Sequence, residues 1–234
     1  MIRAMILAAG RGERMRPLTD HTPKPLLPVQ GKPLIVHHIE RLVHCGIQDI
    51  VINLNHLAEQ IPAVLGDGET WGVRLHYSWE NQCPESLETA GGIRHALSLL
   101  SEEFLLVNGD VLTDFPFDTL LTTPLPPTDV FRLALVDNPP HHPRGDFGLS
   151  EQGRLTPCAN TAGSGSVCLT YAGIGRYRRN LFAPLPEGRR PLGPLLHDEI
   201  AKDRGSGLHH PGVWLDVGTV ERLNEAQATN LQPG

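Results

Sequence analysis

Residues 7–28 read LAAGRGERMRPLTDHTPKPLLP, and the meaning of this stretch decides the rest. It continues an apolar run, Ala4 to Ala9, that has the composition of a buried strand. Small residues follow at once: Ala8, Ala9, Gly10 and Gly12. Arg11, Arg14 and Arg16 come next, and Lys24 stands between two prolines. Glycine lets a backbone turn tightly and point several N–H groups at an anion. Arginine adds a planar fork, always charged, that matches phosphate oxygens. A strand that ends in such a turn is built to hold phosphates. Two common phosphate loops do not fit. The dinucleotide fingerprint needs a glycine where Met15 stands. A Walker loop needs a Gly-Lys-Ser/Thr that is missing here.

Composition narrows the field. The chain has 234 residues, 40% of them hydrophobic, and a formal net charge of −6. An acidic chain of this kind lacks the basic face that nucleic-acid binding needs. The cations between 11 and 24 are therefore a local feature, suited to a small anionic ligand. The N-terminal apolar run is short and leads into a glycine turn and arginines, so neither a signal peptide nor a membrane span is expected, and no membrane association. Cys45, Cys83, Cys158 and Cys168 are widely spaced and form no Cys-x-x-Cys, so four free thiols in a reducing cytoplasm are expected. The histidine pairs 37–38, 141–142 and 209–210 lack the spacing of a metal site and are assigned to packing or surface roles.

Strand-like and helix-like patterns alternate along the chain. Helical spacing covers Pro33 to Cys45, and a β-branched run follows from Asp49. A short helix with Pro62 inside it covers Leu57 to Leu65, and Val73 to Ser78 alternates like a strand. A helix over Gly91 to Leu100 and an apolar strand over Phe104 to Val107 complete a βαβαβ order. That order predicts an α/β fold with a mostly parallel sheet covered by helices on both faces. Ligands of such sheets bind at the carboxyl ends of the strands. The loop from Gly10 to Lys24 and the segment Asn108-Gly109-Asp110 both fall there. In the second half, strands are expected at Val130 to Val136, Val167 to Tyr171 and Val213 to Leu215, with a helix over Leu195 to Lys202. Residues 150–166 read as a turn or mobile loop, and a closing helix starts near Thr219. No repeat or second core is apparent. Residues 1–234 are read as one domain, a nucleotide-binding half at 1–115 and a substrate-binding half at 116–234.

The opening stretch resembles the signature of the sugar-1-phosphate nucleotidyltransferases, LAAGxGTRLxPLT followed by PKPLLP, with Glu13 and Met15 in place of Thr and Leu. The likeness extends to LETAGGI at 87–93, FLLVNGDV at 104–111 and WLDVGT at 214–219. It implies a Rossmann-like, three-layer, GT-A-like fold with a mixed central sheet. It further implies a Mg²⁺ ion held by Asp110 and Asp216, and an attack by a sugar 1-phosphate on a nucleoside triphosphate. Ala9, Gly10, Gly12, Glu13 and Arg14 would surround the triphosphate, and Lys24 would touch the phosphates of both substrates. Arg14, Lys24 and Asp110 are thus the catalytic candidates. Arg16 stands at a variable position and is read as auxiliary or solvent-facing. Thr89 and Gly91 would lie near the base, with Thr89 also suited to cap a helix, and Asn108 would reach the ribose or phosphate. Gly145 and Asp146 fall where the family binds its sugar, although Asp146 could equally be a loop-capping acid.

Within the family the likeness is strongest to members that use UTP and N-acetylmuramate 1-phosphate in cell-wall recycling. Its lactyl carboxylate would want a cation, and Arg144 and Arg190 are candidates by charge. The same chemistry with glucose 1-phosphate and dTTP or UTP, or with mannose 1-phosphate and GTP, remains open. A non-catalytic sugar-nucleotide sensor is the rival of a different class. Two departures concern the substrate pockets. The segment Glu80 to Ser86 lacks the usual Gly-Glu-Pro, and residues 150–166 supply no Glu-Lys-Pro lysine.

Overall fold

A computed structural model describes residues 1–83, 85–158, 167–229 and 231. The first half runs β1 (Arg3–Leu7), β2 (Pro28–Val29), β3 (Lys32–Pro33), α1 (Leu34–His44), β4 (Asp49–Leu54), α2 (Gln60–Leu65), β5 (Arg74–Trp79), α3 (Glu88–His95) and β6 (Glu103–Asn108). It continues through β7 (Val111–Thr113), α4 (Asp118–Thr122), β8 (Phe131–Val136), β9 (Phe147–Leu149), β10 (Leu155–Pro157) and β11 (Val167–Arg178). The chain then forms α5 (Leu192–Ile200), β12 (Gly205–His210), β13 (Trp214–Asp216) and α6 (Val220–Ala228).

Nine of these strands form one mixed sheet. β5, β4, β1 and β6 lie side by side and parallel. β11 joins β6 antiparallel, β8 joins β11 antiparallel, and β12 joins β8 parallel. β9 and β10 extend the sheet from the first residues of β11. Side chains of a strand alternate between faces, so the two faces of β1 feed different cores. Ala4 and Ile6 pack with Ile39 and Leu42 of α1, whereas Met5 packs with Ile93 of α3 and Leu196 of α5. All of these side chains are buried. A third core joins Met15, Leu27 and Val29 of the arginine-rich loop to Val217, Leu223 and Ala226 near the C-terminus. Met15, which replaces the usual leucine of the signature, is wholly buried there. The α/β class and the mostly parallel centre agree with the expectation. No helix among the described residues is long and apolar enough to cross a membrane.

Three expectations are corrected. β11 runs for twelve residues rather than stopping at Tyr171. Gly173 and Gly175 lie just beyond the expected end, at a register irregularity, where Gly173 has φ +72° and the strand continues. α3 begins at Glu88 and ends at His95, and a 3₁₀ turn covers Leu97–Leu99. Thr89 is therefore inside the first turn instead of capping it. Cys158 and Cys168 are joined as a disulfide, their Cα atoms 5.3 Å apart. β9 pairs with β10 on one edge and β11 on the other, which carries these two cysteines together. Spacing along the chain holds no trace of that. Cys45 and Cys83 are free. Part of 150–166 forms β10, while 159–166 lies outside the described residues.

Truncation of Met15 to alanine leaves a cavity under the loop and should lower the unfolding free energy by about 2–5 kcal/mol in urea titrations. His38 on α1 is 1% exposed, and burial, foremost, pushes its imidazole down to about 4. The unfolded chain, with the ordinary value near 6.5, takes the proton first. Stability should therefore be full above about pH 6.5 and fall by as much as about 3 kcal/mol as pH drops toward 4. His38→Leu should flatten that slope in unfolding curves taken at several pH values.

Candidate active site

The parallel pairing of β1 with β4 and β6 places Leu7, Asn53 and Asn108 side by side at the carboxyl edge. Three strand ends meet here, and the chain leaving β1 is fastened to both neighbours. Ala8 N donates to Asn53 Oδ1 at 2.7 Å, and Gly109 N donates to Leu7 O at 2.9 Å. Asn53 Nδ2 donates to Glu80 Oε1 at 2.7 Å. Burial pushes the Glu80 carboxyl up, against the pull of that hydrogen bond.

The loop beyond Gly10 is a chain of short 3₁₀ turns, Glu13–Met15, Leu18–Asp20 and Lys24–Leu26. Gly12 opens the first with φ +65°, and its missing side chain has a reason. A Cβ there would stand 2.9 Å from Thr19 Cγ2 and 3.3 Å from Lys24 Cβ. Thr19 Oγ1 donates to Gly12 O at 2.9 Å and clamps the turn. The turns bring Lys24 back to the strand ends. Its side chain is 11% exposed, and Nζ lies 2.6 Å from Asp110 Oδ2. Arg16 pairs with Asp20 at 3.2 Å on the exposed side of the loop, which makes it the solvent-facing member.

A cleft of about 240 Å³ opens over these strand ends. Of the residues singled out in sequence, Ala9, Gly10, Lys24, Thr89, Asn108 and Asp110 line it. Glu80 and Ser86, the ends of the departing segment, and Glu88 of the LETAGGI stretch line it as well, and so does Asn53, which had not been singled out. The signal for Asn53 was its place at the end of a β-branched run; Glu80 follows a strand in the same way. Glu88 has φ +55°, a left-handed backbone for a non-glycine residue, and accepts from Arg189 Nε at 2.6 Å. Gly91 also packs against the chain. Its N–H donates to Arg190 O at 3.2 Å, and a Cβ would lie 2.4 Å from Gly188 O. It seats α3 against the 188–190 segment.

Asp216 arrives from the far end of the chain. β13 pairs with β7 antiparallel and sets Asp216 opposite Val111. Val217 N donates to Asp110 O at 2.7 Å, so the two aspartates belong to neighbouring strand ends. Asp216 Oδ1 pairs with Arg222 Nη1, and His141 Nε2 lies 3.1 Å from the same oxygen. Arg14 reaches the same turn rather than lining the cleft. A Cβ on Gly218 would stand 2.8 Å from Arg222 Nη2 and 3.0 Å from Arg14 Nη2, so two guanidinium groups cover this glycine. Asn108 packs on Gly173, where a Cβ would come within 2.6 Å of its amide.

Gly145 and Asp146 brace the loop after β8. Gly145 has φ +63°. The Asp146 carboxylate accepts from Tyr171 N at 2.8 Å through Oδ2 and lies 3.0 Å from His142 Nε2 through Oδ1. Both oxygens hold protein groups, the arrangement of a loop-capping acid.

Two carboxylates on adjacent strand ends suit a divalent ion. Among the described residues no group of three or more His, Cys, Asp or Glu side chains could hold a metal by itself. Asp110 and Asp216 would leave most of the coordination sphere to substrate oxygens and water, which is how Mg²⁺ is usually bound beside phosphates.

Comparison with known proteins gives the family and the fold. The family model described as nucleotidyl transferase matches residues 3–167. The N-acetylmuramate α-1-phosphate uridylyltransferase of Neisseria meningitidis serogroup B is 52% identical, over 97% of either chain. The enzyme of that name from Caulobacter vibrioides is 32% identical, over 96% of this chain and 95% of its own. The crystal structure of HddC from Yersinia pseudotuberculosis complexed with GMP-PN shares the fold, with a TM-score of 0.77 at 19% identity over 97% of this chain and 99% of its own. The chain belongs to the nucleotidyl transferase family.

Proposed function

We propose that the protein transfers the uridylyl group of UTP to N-acetylmuramate 1-phosphate and releases pyrophosphate. The convergence of Lys24, Asp110 and Asp216 beside the glycine turn carries this reading. The 52% identity to the Neisseria enzyme supports the choice of both substrates and a place in cell-wall recycling. A phosphate oxygen of the sugar 1-phosphate attacks the α-phosphorus of UTP. One P–O bond forms there as the bond to the β-phosphate breaks, and pyrophosphate leaves with the electron pair. No covalent enzyme intermediate is needed, and no nucleophilic side chain is assigned.

Each group has a defined task. The glycine turn admits the triphosphate against the backbone of Ala9 and Gly10. Lys24, nearly buried, offers a positive charge to phosphate oxygens whose charge rises in the transition state. Asp110 and Asp216 would hold Mg²⁺, which offsets phosphate charge when bound. The base would lie toward Glu80, Ser86 and Thr89. In this reading residues 1–115 handle the nucleotide, and 116–234 bring the sugar and the second aspartate.

Two experiments test the proposal. Pyrophosphate release with Mg²⁺ should peak at UTP with N-acetylmuramate 1-phosphate, across a grid of nucleoside triphosphates and sugar 1-phosphates. A peak at mannose 1-phosphate with GTP, or glucose 1-phosphate with dTTP, would replace the substrates and keep the chemistry. Silence across the grid would favour a sensor. Lys24→Ala should lower kcat about 30- to 1,000-fold, equivalent to about 2–4 kcal/mol, with the fold intact by circular dichroism. An unchanged kcat would remove Lys24 from the catalytic step.

A further inference from the structure

Asp216 already has a cation on it, and that cation comes from the protein. Arg222 stands on the first turn of α6, whose N-terminus is capped by Thr219 Oγ1 accepting from Arg222 N at 3.3 Å. The cap turns the arginine back over the WLDVGT segment. Its Nη1 meets Asp216 Oδ1, its side chain is 13% exposed, and Gly218 clears room for its Nη2. His141 closes the cluster. Its Nε2 lies 3.1 Å from the same Oδ1 and 3.0 Å from Arg222 Nη1. One carboxylate oxygen is thus held by Arg222, which His141 steadies, where a metal ligand needs an open lone pair. Beside the cluster is a cavity of about 440 Å³, lined by Arg222 and His141 together with Asn138, His210 and Trp214.

We propose that Arg222, steadied by His141, is a displaceable counter-ion for Asp216. It neutralises and orients the carboxylate while no divalent ion is present. It gives up Oδ1 when one enters, moving into the cavity it already lines. Arg222 is thus a positioning residue, and it competes with the metal for one atom. His141 belongs to the loop between β8 and β9, so the displacement also loosens that loop's bond to Arg222. The proposal rests on the reading of Asp216 as a metal ligand and goes beyond it.

The test is the binding of Mn²⁺ alone to nucleotide-free protein, followed by the electron paramagnetic resonance of the free ion. Arg222→Gln should bind Mn²⁺ about threefold to tenfold more tightly than wild type, the range expected for releasing one half-buried ion pair. Arg222→Lys, which restores the charge, should return the affinity toward wild type. A purely structural arginine predicts the reverse, because a loosened turn would weaken the site. Equal or weaker binding by Arg222→Gln overturns the proposal. Should that variant melt well below wild type, His141→Gln at its half-exposed position carries the test. Tighter binding by it supports the counter-ion, and unchanged binding overturns it. Asp110→Asn and Asp216→Asn separate the two ideas. If both keep wild-type Mn²⁺ affinity, the metal reading itself falls. If both lose it while Arg222→Gln is unchanged, only the counter-ion falls.

Discussion

The parallel pairing of β1 along both of its edges is the constraint on which the cleft depends. It puts the ends of β4, β1 and β6 at one level, and each end delivers a different tool. From β1 comes the glycine turn, from β4 Asn53, and from β6 Asn108 and Asp110. A slip of one residue in either register would send β1's side chains to the wrong core, so the two cores hold the register firmly. Met5 in one core and Ala4 and Ile6 in the other lock β1 from both sides. The site stands on a rigid edge for that reason.

The loop that carries the arginines has little regular structure of its own. Its order comes from the third core, where Met15, Leu27 and Val29 pack with Leu112, Val217, Leu223 and Ala226. The same residues flank Lys24 on one side and Asp216 on the other. Loop, the strand that carries Asp216 and C-terminal helix are therefore a single packed unit, and α6 serves the site although it lies at the far end of the chain. Gln30 reinforces this contact through hydrogen bonds to Gln227 and Ala226.

Charge is handled locally. The chain is acidic overall, yet each site aspartate has a cationic partner: Lys24 on Asp110, Arg222 on Asp216. Arg14 adds a second guanidinium over Gly218. Cations and carboxylates interleaved in this way keep the site near neutrality without substrate. They also place positive groups within reach of an entering polyphosphate. Largely buried pairs of this kind add little net stability, because desolvation offsets the attraction, and their value lies in orientation.

Much of this arrangement was legible in the sequence. The strand-and-glycine opening, the cations that follow it, the acids at strand ends and the βαβαβ order are local patterns. Backbone freedom, side-chain period and cap chemistry act over a few residues, so those patterns can be read directly. Gly12 and Thr219 behave as their local chemistry requires. Other features came from contacts between distant segments. Asn53 and Glu80 form a pair because β4 and β5 are neighbours, and Arg14 reaches Gly218 because α6 folds under the loop. The contacts of Gly91 with Arg190 and of Asp146 with Tyr171 likewise join segments far apart in the chain. Cys158 met Cys168 because β9 lies between β10 and β11. The sequence by itself determined which chemistry was present and on which kind of element. Tertiary structure alone decided which groups touch, because hydrogen bonds and ion pairs depend on distances that chain spacing does not encode.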